Sequence, residues 1–389
     1  MSHVFFSHGV LPTVHACATT LIDRIKEDLK VTNEGNELDV LKNLNEYSAD
    51  VIFRMAYGRT DSRAALQQWA SATLRVVETS RGWFHNIAWA LPWMWRLLKG
   101  MKFVTTLLFQ FPFIRFIRQL LLELQKRQKA KKEAAERGEE PQEPADFIDF
   151  FMQSESTEFR PEVEKRGEFD RRHAPIVKEL TLMEVFGQCV LFAFAGFDTV
   201  ANTLSFVLQF MTVHPKVQER MRAEIHEVFG DQESLDYDQL NELKFAEAVI
   251  KETLRLFPLG EVVTSRRCMK PTELAGIPVE AGVDVLIDVM SIHRDPELWG
   301  EDANEFRPER WLDDARPIPA NGFFGFGAGL RECVGRRLAY LELKVVLVEL
   351  LRNFRLVECP RTKDGVDNVV GFLMRPSSLF VRLEELKSN

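Results

Sequence analysis

Ten consecutive residues, Phe326-Gly327-Ala328-Gly329-Leu330-Arg331-Glu332-Cys333-Val334-Gly335, carry the sharpest chemical signal in the chain. A glycine-rich loop delivers a single cysteine to the start of a helix, where the positive end of the helix dipole and free backbone N–H groups favour a thiolate over a thiol. A sulfur prepared in this way is ready to ligate a metal. Glycines also let the backbone come close and turn its amides toward the sulfur, which tunes the bound metal. Arg331 is placed to meet an anionic group beside the loop. One cysteine on a glycine turn is more often a buried structural residue, but Phe326, Gly329, Arg331, Cys333 and Gly335 together argue for a site.

A second constellation, Ala195-Gly196-Phe197-Asp198-Thr199, interrupts an otherwise apolar helix. A carboxylate is costly there unless compensated, so the break invites a functional reading. Gly196 loosens the helix and permits a groove, and Asp198 with Thr199 can relay protons through hydrogen bonds and water. The plainer reading of a lone threonine is a hydroxyl bonded back to a carbonyl one turn earlier. Glu252-Thr253-Leu254-Arg255 places an acid and a base on one helix face, which on a surface contributes only tenths of a kcal/mol. Arg336, Arg337 and Lys344 come after Cys333 on one helix, either as a basic patch for an acidic partner or as solvated charge.

The elements that must position these residues read as mostly helical. Helices are expected over Leu11–Leu29, Leu38–Tyr57 and Arg115–Arg137, the last increasingly charged. Residues 83–117 are rich in aromatics but broken by Arg96, Lys99 and Lys102, so they fit a packed core or seating at a lipid surface rather than a membrane span. Ser154–Lys178 reads as a mobile connection. Thr181 with Glu184 forms a capping-box pattern that opens a long apolar helix up to His214 and Pro215. Further helices are expected at Pro215–Phe229, Leu240–Phe257 and, as a clean amphipathic one, Arg336–Asn353. Short strands are expected at Val262–Thr264, Leu274 and Val283–Val289, with a terminal hairpin from Phe354 onward.

Composition agrees with a folded protein: 46% of residues are hydrophobic and 30 are Phe, enough for a packed core. A net charge of -8 gives no basic face for nucleic acid. The 5 cysteines, Cys17, Cys189, Cys268, Cys333 and Cys359, are odd in number and scattered, which argues against a disulfide framework or a structural zinc site and fits a reducing compartment. No signal peptide or anchor is expected in Met1–Leu11.

The loop around Cys333 resembles the haem-binding signature of the cytochrome P450 family, and the likeness runs through the chain. The resemblance implies a mostly α, cytochrome P450-like fold with a small β-rich part, as a single domain over 1–389. It implies haem b (iron protoporphyrin IX) held by Cys333 as the axial ligand. Phe326 would shield the sulfur and Arg331 pair with a propionate, while Gly329, Gly335, Ala195 and Gly196 belong to the cofactor site. Arg266, next to Arg267, resembles a second propionate partner. Asp198 and Thr199 resemble the oxygen-activation motif, with Val200 where the family usually has a hydroxyl. Phe306-Arg307-Pro308-Glu309-Arg310-Trp311 resembles the segment whose Arg310 joins Glu252 and Arg255 in a structural network. Phe194, Val262, Val263, Thr264 and Leu373 fall where the substrate pocket is lined. The late loops, including His293-Arg294-Asp295-Pro296, look like the animal microsomal branch.

That likeness further implies hydroxylation of a lipophilic substrate with O2 and NADPH. Electrons would come from NADPH-cytochrome P450 reductase, with cytochrome b5 allowed as a further donor, on the cytosolic face of the endoplasmic reticulum. None of the 7 tryptophans has Arg four residues on, and His3–Leu11 resembles the segment just after the helix that carries that pair. The expectation is therefore an incomplete N-terminus, with the first sheet and first helices missing. The alternatives are a haem-free, catalytically silent remnant that acts at most as a binding protein, and an isomerase or peroxygenase that needs no reductase.

Overall fold

Several helices begin where a side chain or a proline can satisfy or spare the first free N–H groups. The computed structural model describes residues 9–31, 36–58, 62–79, 111–139, 146–152, 180–232, 234–260, 265–313, 318–319, 321–363, 368–369 and 373–386. Most of the aromatic stretch from 83 to 117 and the expected connection 154–178 lie outside them, as do Val262, Val263 and Thr264. The described helices in the first half are α1 (Leu11–Val31), α2 (Val40–Tyr57), α3 (Arg63–Thr79), α4 (Phe111–Glu136), α5 (Phe147–Met152) and the 32-residue α6 (Leu182–Val213). Thr181 and Glu184 cap α6 reciprocally: the Thr181 N–H donates to the Glu184 carboxylate at 2.7 Å and the Glu184 N–H to the Thr181 hydroxyl at 3.3 Å.

Beyond α6 come α7 (Pro215–Phe229), α8 (Tyr237–Glu242) and α9 (Lys244–Leu256). The expected single helix over Leu240–Phe257 is broken at Leu243, whose ψ of 78° leaves the helical region. The cause lies on α7, where the Glu224 carboxylate accepts the N–H groups of Phe245 at 2.6 Å and Ala246 at 2.9 Å and so starts α9 afresh. Short elements come next: β2 (Arg266–Arg267), β3 (Thr272–Leu274), β4 (Ile277–Val279), β5 (Asp284–Val285), α10 (Val289–His293) and α11 (Pro296–Trp299). The expected strand over Val283–Val289 is thus only its first part. Asp288 accepts the Ser291 N–H at 2.9 Å and turns the chain into α10.

The last helix, α12 (Arg336–Asn353), has the expected bounds but is not cleanly amphipathic. It is buried from Leu341 to Val348, Glu342 and Lys344 included, because α1, α7, α8 and α9 all pack around it. The C-terminal part holds β6 (Phe354–Val357), α13 (Pro360–Lys363), β7 (Asn368–Val369), β8 (Arg375–Pro376) and β9 (Phe380–Glu385). The expected hairpin is instead a three-stranded antiparallel sheet ordered β1-β9-β6, with β1 (Glu37–Asp39) supplied from near the other end of the chain. Three residues at the start of an expected helix are too short a strand to show alternation.

The chain divides into two compact units, 1–48 with 198–389, and 49–197. In the smaller unit Trp69 of α3 packs edge-on against Phe53 at 5.1 Å and Phe197 at 4.9 Å. In the same unit Gly196 admits close packing: a Cβ there would lie 2.3 Å from Cδ1 of Ile52. The helix runs through Gly196 unbroken, and the missing side chain makes room for Ile52 of α2. In the larger unit α1 packs along α12, tied by His15 to Glu349 at 3.1 Å and Lys26 to Asn353 at 2.8 Å.

Candidate functional site

The loop bearing Cys333 is built from turns that close on themselves. Gly327 and Gly329 have φ of 72° and 69°, a left-handed region that glycine enters without a steric penalty. The Phe324 carbonyl accepts the Gly327 N–H at 2.9 Å, and the Phe326 carbonyl accepts the Cys333 N–H at 2.9 Å. A 3-10 turn, Gly329–Arg331, lies between, and α12 begins just after Gly335. Cys333 and Arg331 are exposed, and Leu330 and Val334 are 89% and 82% exposed.

The sulfur's electrostatics differ from the sequence expectation. Loss of water around the Cys333 sulfur is the largest influence and raises its pKa above the ordinary thiol value, with the Glu332 charge adding to the rise. The backbone N–H groups of Gly335 and Arg336 and the Arg336 charge act the other way but do not prevail. The helix start thus favours the thiolate, while desolvation favours the thiol. It supplies amides to a sulfur whose proton a metal ion would remove.

Behind the loop, Glu252 of α9 collects five hydrogen bonds while fully buried. Its Oε1 accepts from Arg255 Nη2 at 2.8 Å, Arg310 Nε at 2.9 Å and the Arg307 N–H at 2.9 Å. Its Oε2 accepts from Arg255 Nε at 2.9 Å and Trp311 Nε1 at 2.9 Å. Arg255, also fully buried, reaches on to the carbonyls of His293 at 2.6 Å, Ala303 at 2.5 Å and Glu305 at 3.1 Å. Arg310 binds the Asp302 carbonyl at 3.0 Å, and both guanidiniums lie over the Trp299 ring at 5.0 and 5.9 Å. Planar donor forks suit this role because each spends several N–H groups in fixed directions. Glu252, Arg255 and Arg310 are thus brought together, and they hold α9, α10 and the turn Pro308–Trp311 as one block. Trp299, Trp311 and His293 belong to the block as well. Trp311 and His293 fall inside segments that the sequence singles out and Trp299 lies three residues beyond Pro296, yet no motif assigns any of the three that role.

The family model for cytochrome P450 matches residues 1–383. The chain belongs to the cytochrome P450 family. The Caenorhabditis elegans protein bearing the name cytochrome P450 CYP13A2 is 38% identical over 373 residues, covering 95% of this chain and 70% of its own. Those bearing the names CYP13A10 and CYP13A8, from the same organism, are 33% and 34% identical, with coverage of 96% and 97% of this chain and 72% and 74% of theirs. This P450 is accordingly a haem-dependent monooxygenase, of a family that takes lipophilic substrates and electrons from a redox partner. The mostly helical architecture with small antiparallel sheets agrees.

The residues around Cys333 fit the cofactor. Among the described residues no three His, Cys, Asp or Glu side chains converge as a metal site. A porphyrin iron would bring its other ligands with it and ask only one of Cys333. Apolar Leu330 and Val334 stand exposed beside the sulfur, a surface that a flat apolar ring would cover, and Arg331 offers an exposed cation to a carboxylate. Arg267 is held by Asp284 at 2.8 Å through both ends of its fork. Arg266 beside it is exposed, and its Nη1 donates to the Ser265 carbonyl at 2.9 Å.

On α6 of the P450, Asp198 is buried and Thr199 half-buried, while the Thr203 hydroxyl donates to the Thr199 carbonyl at 2.8 Å. Ala195 is exposed, and Phe194, Gly196 and Leu373 are half-buried. The expected basic patch is smaller than the sequence suggests. Lys344 is only 4% exposed and is paired with Glu247 at 3.0 Å, and Arg336 is paired with Glu332. Arg336 and Arg337 remain at the surface, on the rim of a cleft of about 410 Å³ that Lys251, Phe326 and Tyr340 also line. Of the described helices only α6 is long and apolar enough to cross a membrane, and its most apolar stretch is 61% buried in the protein.

Proposed function

We propose that residues 1–389 work as one cytochrome P450 domain that hydroxylates a lipophilic organic molecule. Haem b would be held by Cys333 through its sulfur, with Phe326, Gly329 and Gly335 shaping the loop, Arg331 and Arg266 binding the propionates, and Ala195 and Gly196 contributing to cofactor binding. When bound, haem with a thiolate ligand supplies O2 binding and the O–O cleavage that places one oxygen atom in the substrate. The protein's own groups then have defined tasks. The amides of Gly335 and Arg336 hold the sulfur's charge, and the Glu252–Arg255–Arg310 block keeps the loop from shifting. Thr199 holds a proton at Oγ1, and Asp198 replenishes it. Phe194 and Leu373 offer apolar surface to the substrate.

NADPH-cytochrome P450 reductase, with cytochrome b5 as a further donor, would approach near exposed Arg336 and Arg337. The endoplasmic reticulum membrane, cytosolic face, is the proposed location. The single observation that carries this reading is the closed loop that presents Cys333 between exposed apolar neighbours just before the start of α12. The test is to express residues 1–389, add haemin, reduce under carbon monoxide and record the Soret band. A red-shifted thiolate-type band that disappears in Cys333→Ala supports the reading; porphyrin uptake with a spectrum indifferent to that substitution ends it.

A further inference from the structure

His293 closes α10, is fully buried, and touches both the block behind the loop and the loop itself. Its Nε2 lies 2.8 Å from the backbone nitrogen of Phe324 and its Nδ1 2.9 Å from the carbonyl oxygen of Arg255. A backbone N–H only donates and a carbonyl only accepts, so these partners fix one neutral tautomer, protonated at Nδ1 and bare at Nε2. The Arg255 contact is reciprocal, because its guanidinium donates to the His293 carbonyl at 2.6 Å. The imidazole also stacks on Phe323 at 5.3 Å, and Phe323 meets Trp311 edge-on at 4.9 Å.

From Phe324 the constraint continues along the chain. Its N–H is held by His293, its carbonyl anchors the Gly327 N–H, and two residues on the Phe326 carbonyl anchors the Cys333 N–H, each at 2.9 Å or less. We propose that His293 is a positioning residue for Cys333, transmitting the rigidity of the Glu252–Arg255–Arg310 block through Phe324 to the peptide that carries the sulfur. This rests on the reading that Cys333 ligates haem iron. The imidazole does no chemistry on substrate. It fixes where the peptide that carries the sulfur sits, a constraint that a ligand needs and that loop glycines alone do not provide.

Two substitutions separate the two hydrogen bonds. In His293→Gln the amide oxygen reaches the position of Nε2 and can accept the Phe324 N–H. In His293→Asn the amide nitrogen can replace Nδ1 toward Arg255, but nothing reaches Phe324. Amide hydrogen exchange on the haem-free chain is expected to show Phe324 and Cys333 about tenfold less protected in His293→Asn, with protection largely restored in His293→Gln. With haemin and carbon monoxide, His293→Asn is expected to lose at least about half of the thiolate-type Soret band, and His293→Gln to keep it.

Wild-type exchange and an unchanged band in His293→Asn would overturn the proposal. Should the asparagine variant fail to fold, His293→Gln decides alone, and loss of Phe324 and Cys333 protection in a folded His293→Gln would overturn it too. A wild-type chain that gives no thiolate band sinks the haem reading instead. The exchange measurements still decide the His293 link in that case.

Discussion

At the level of single residues, two buried glutamates show opposite solutions to the cost of hiding a carboxylate. Glu252 is surrounded by donors, and removing its charge leaves the buried Arg255 guanidinium without its counter-charge and Arg310 with only Asp302 at 3.4 Å. Glu252→Gln is therefore expected to destabilise the fold by about 3–5 kcal/mol, measured as a lower urea midpoint. Glu342 on α12 is also fully buried, but neither of its oxygens has a hydrogen-bond partner among the described residues. Burial holds its pKa well above the ordinary value of 4.5, so the folded protein keeps it protonated. The folded state then binds a proton that the unfolded chain releases, and Glu342 costs stability progressively as pH rises above 4.5. Glu342→Gln should raise the urea midpoint, by more at about pH 8 than at about pH 5; an equal change at both would show that the carboxyl is ionised. The sequence displays both glutamates equally. Only Glu252 stands out in it, because the family signature marks that position, whereas nothing in the spacing of Leu341-Glu342-Leu343 announces a buried acid.

Among the elements, local signals and long-range ones differ in legibility. The cap at Thr181 is legible because both halves of it lie within one turn, and Pro215 marks the start of α7 for the same reason. The break at Leu243 is not, since it is made by Glu224 on another helix, and β1 is hidden because its partner β9 comes from the far end of the chain. Gly196 is conspicuous but its role is not: the sequence shows a missing side chain without showing that Ile52 fills the space. Gly196→Ala places a methyl within 2.3 Å of Ile52 Cδ1 and is expected to cost about 1–3 kcal/mol. Ile52→Val removes that Cδ1 atom. Adding Ile52→Val to Gly196→Ala should recover part of the loss, although Ile52→Val alone costs about 0.5–1.5 kcal/mol. Simple additivity of the two losses would show that α6 and α2 do not meet at this point.

Across the whole molecule, the charged residues that the sequence reads as surface turn out to be partly interior, and this sets how the protein responds to acid. Burial is the unreadable quantity: Lys344 and Glu342 alternate with leucines and valines on α12, and the four helices packed around it come from distant parts of the chain. Glu247 on α9 loses hydration, which raises its pKa, but Lys251 and Lys344 outweigh that and hold it at about 2. Its stabilising contribution is complete above 4.5 and fades as pH falls toward 2. His293 acts earlier. Burial is the main cause that lowers its pKa to about 4, helped by the charges of Arg255 and Arg294 and opposed by the Arg255 carbonyl and Glu252. The unfolded chain takes up that proton near 6.5 and the folded one only near 4. Stability therefore falls as pH drops through this window, by up to about 1.4 kcal/mol per pH unit from this one group. Glu342 works in the opposite sense above 4.5, so the wild-type slope between pH 6.5 and 4.5 is the difference of the two. Replacing His293 by Gln, which has no titrating proton, should flatten or reverse that slope while leaving the steeper loss below about pH 4 that belongs to the carboxylates. Urea midpoints at half-unit intervals from about pH 4 to about pH 7 measure it directly, and an identical slope in the two proteins would mean that His293 titrates in the folded chain as it does in water.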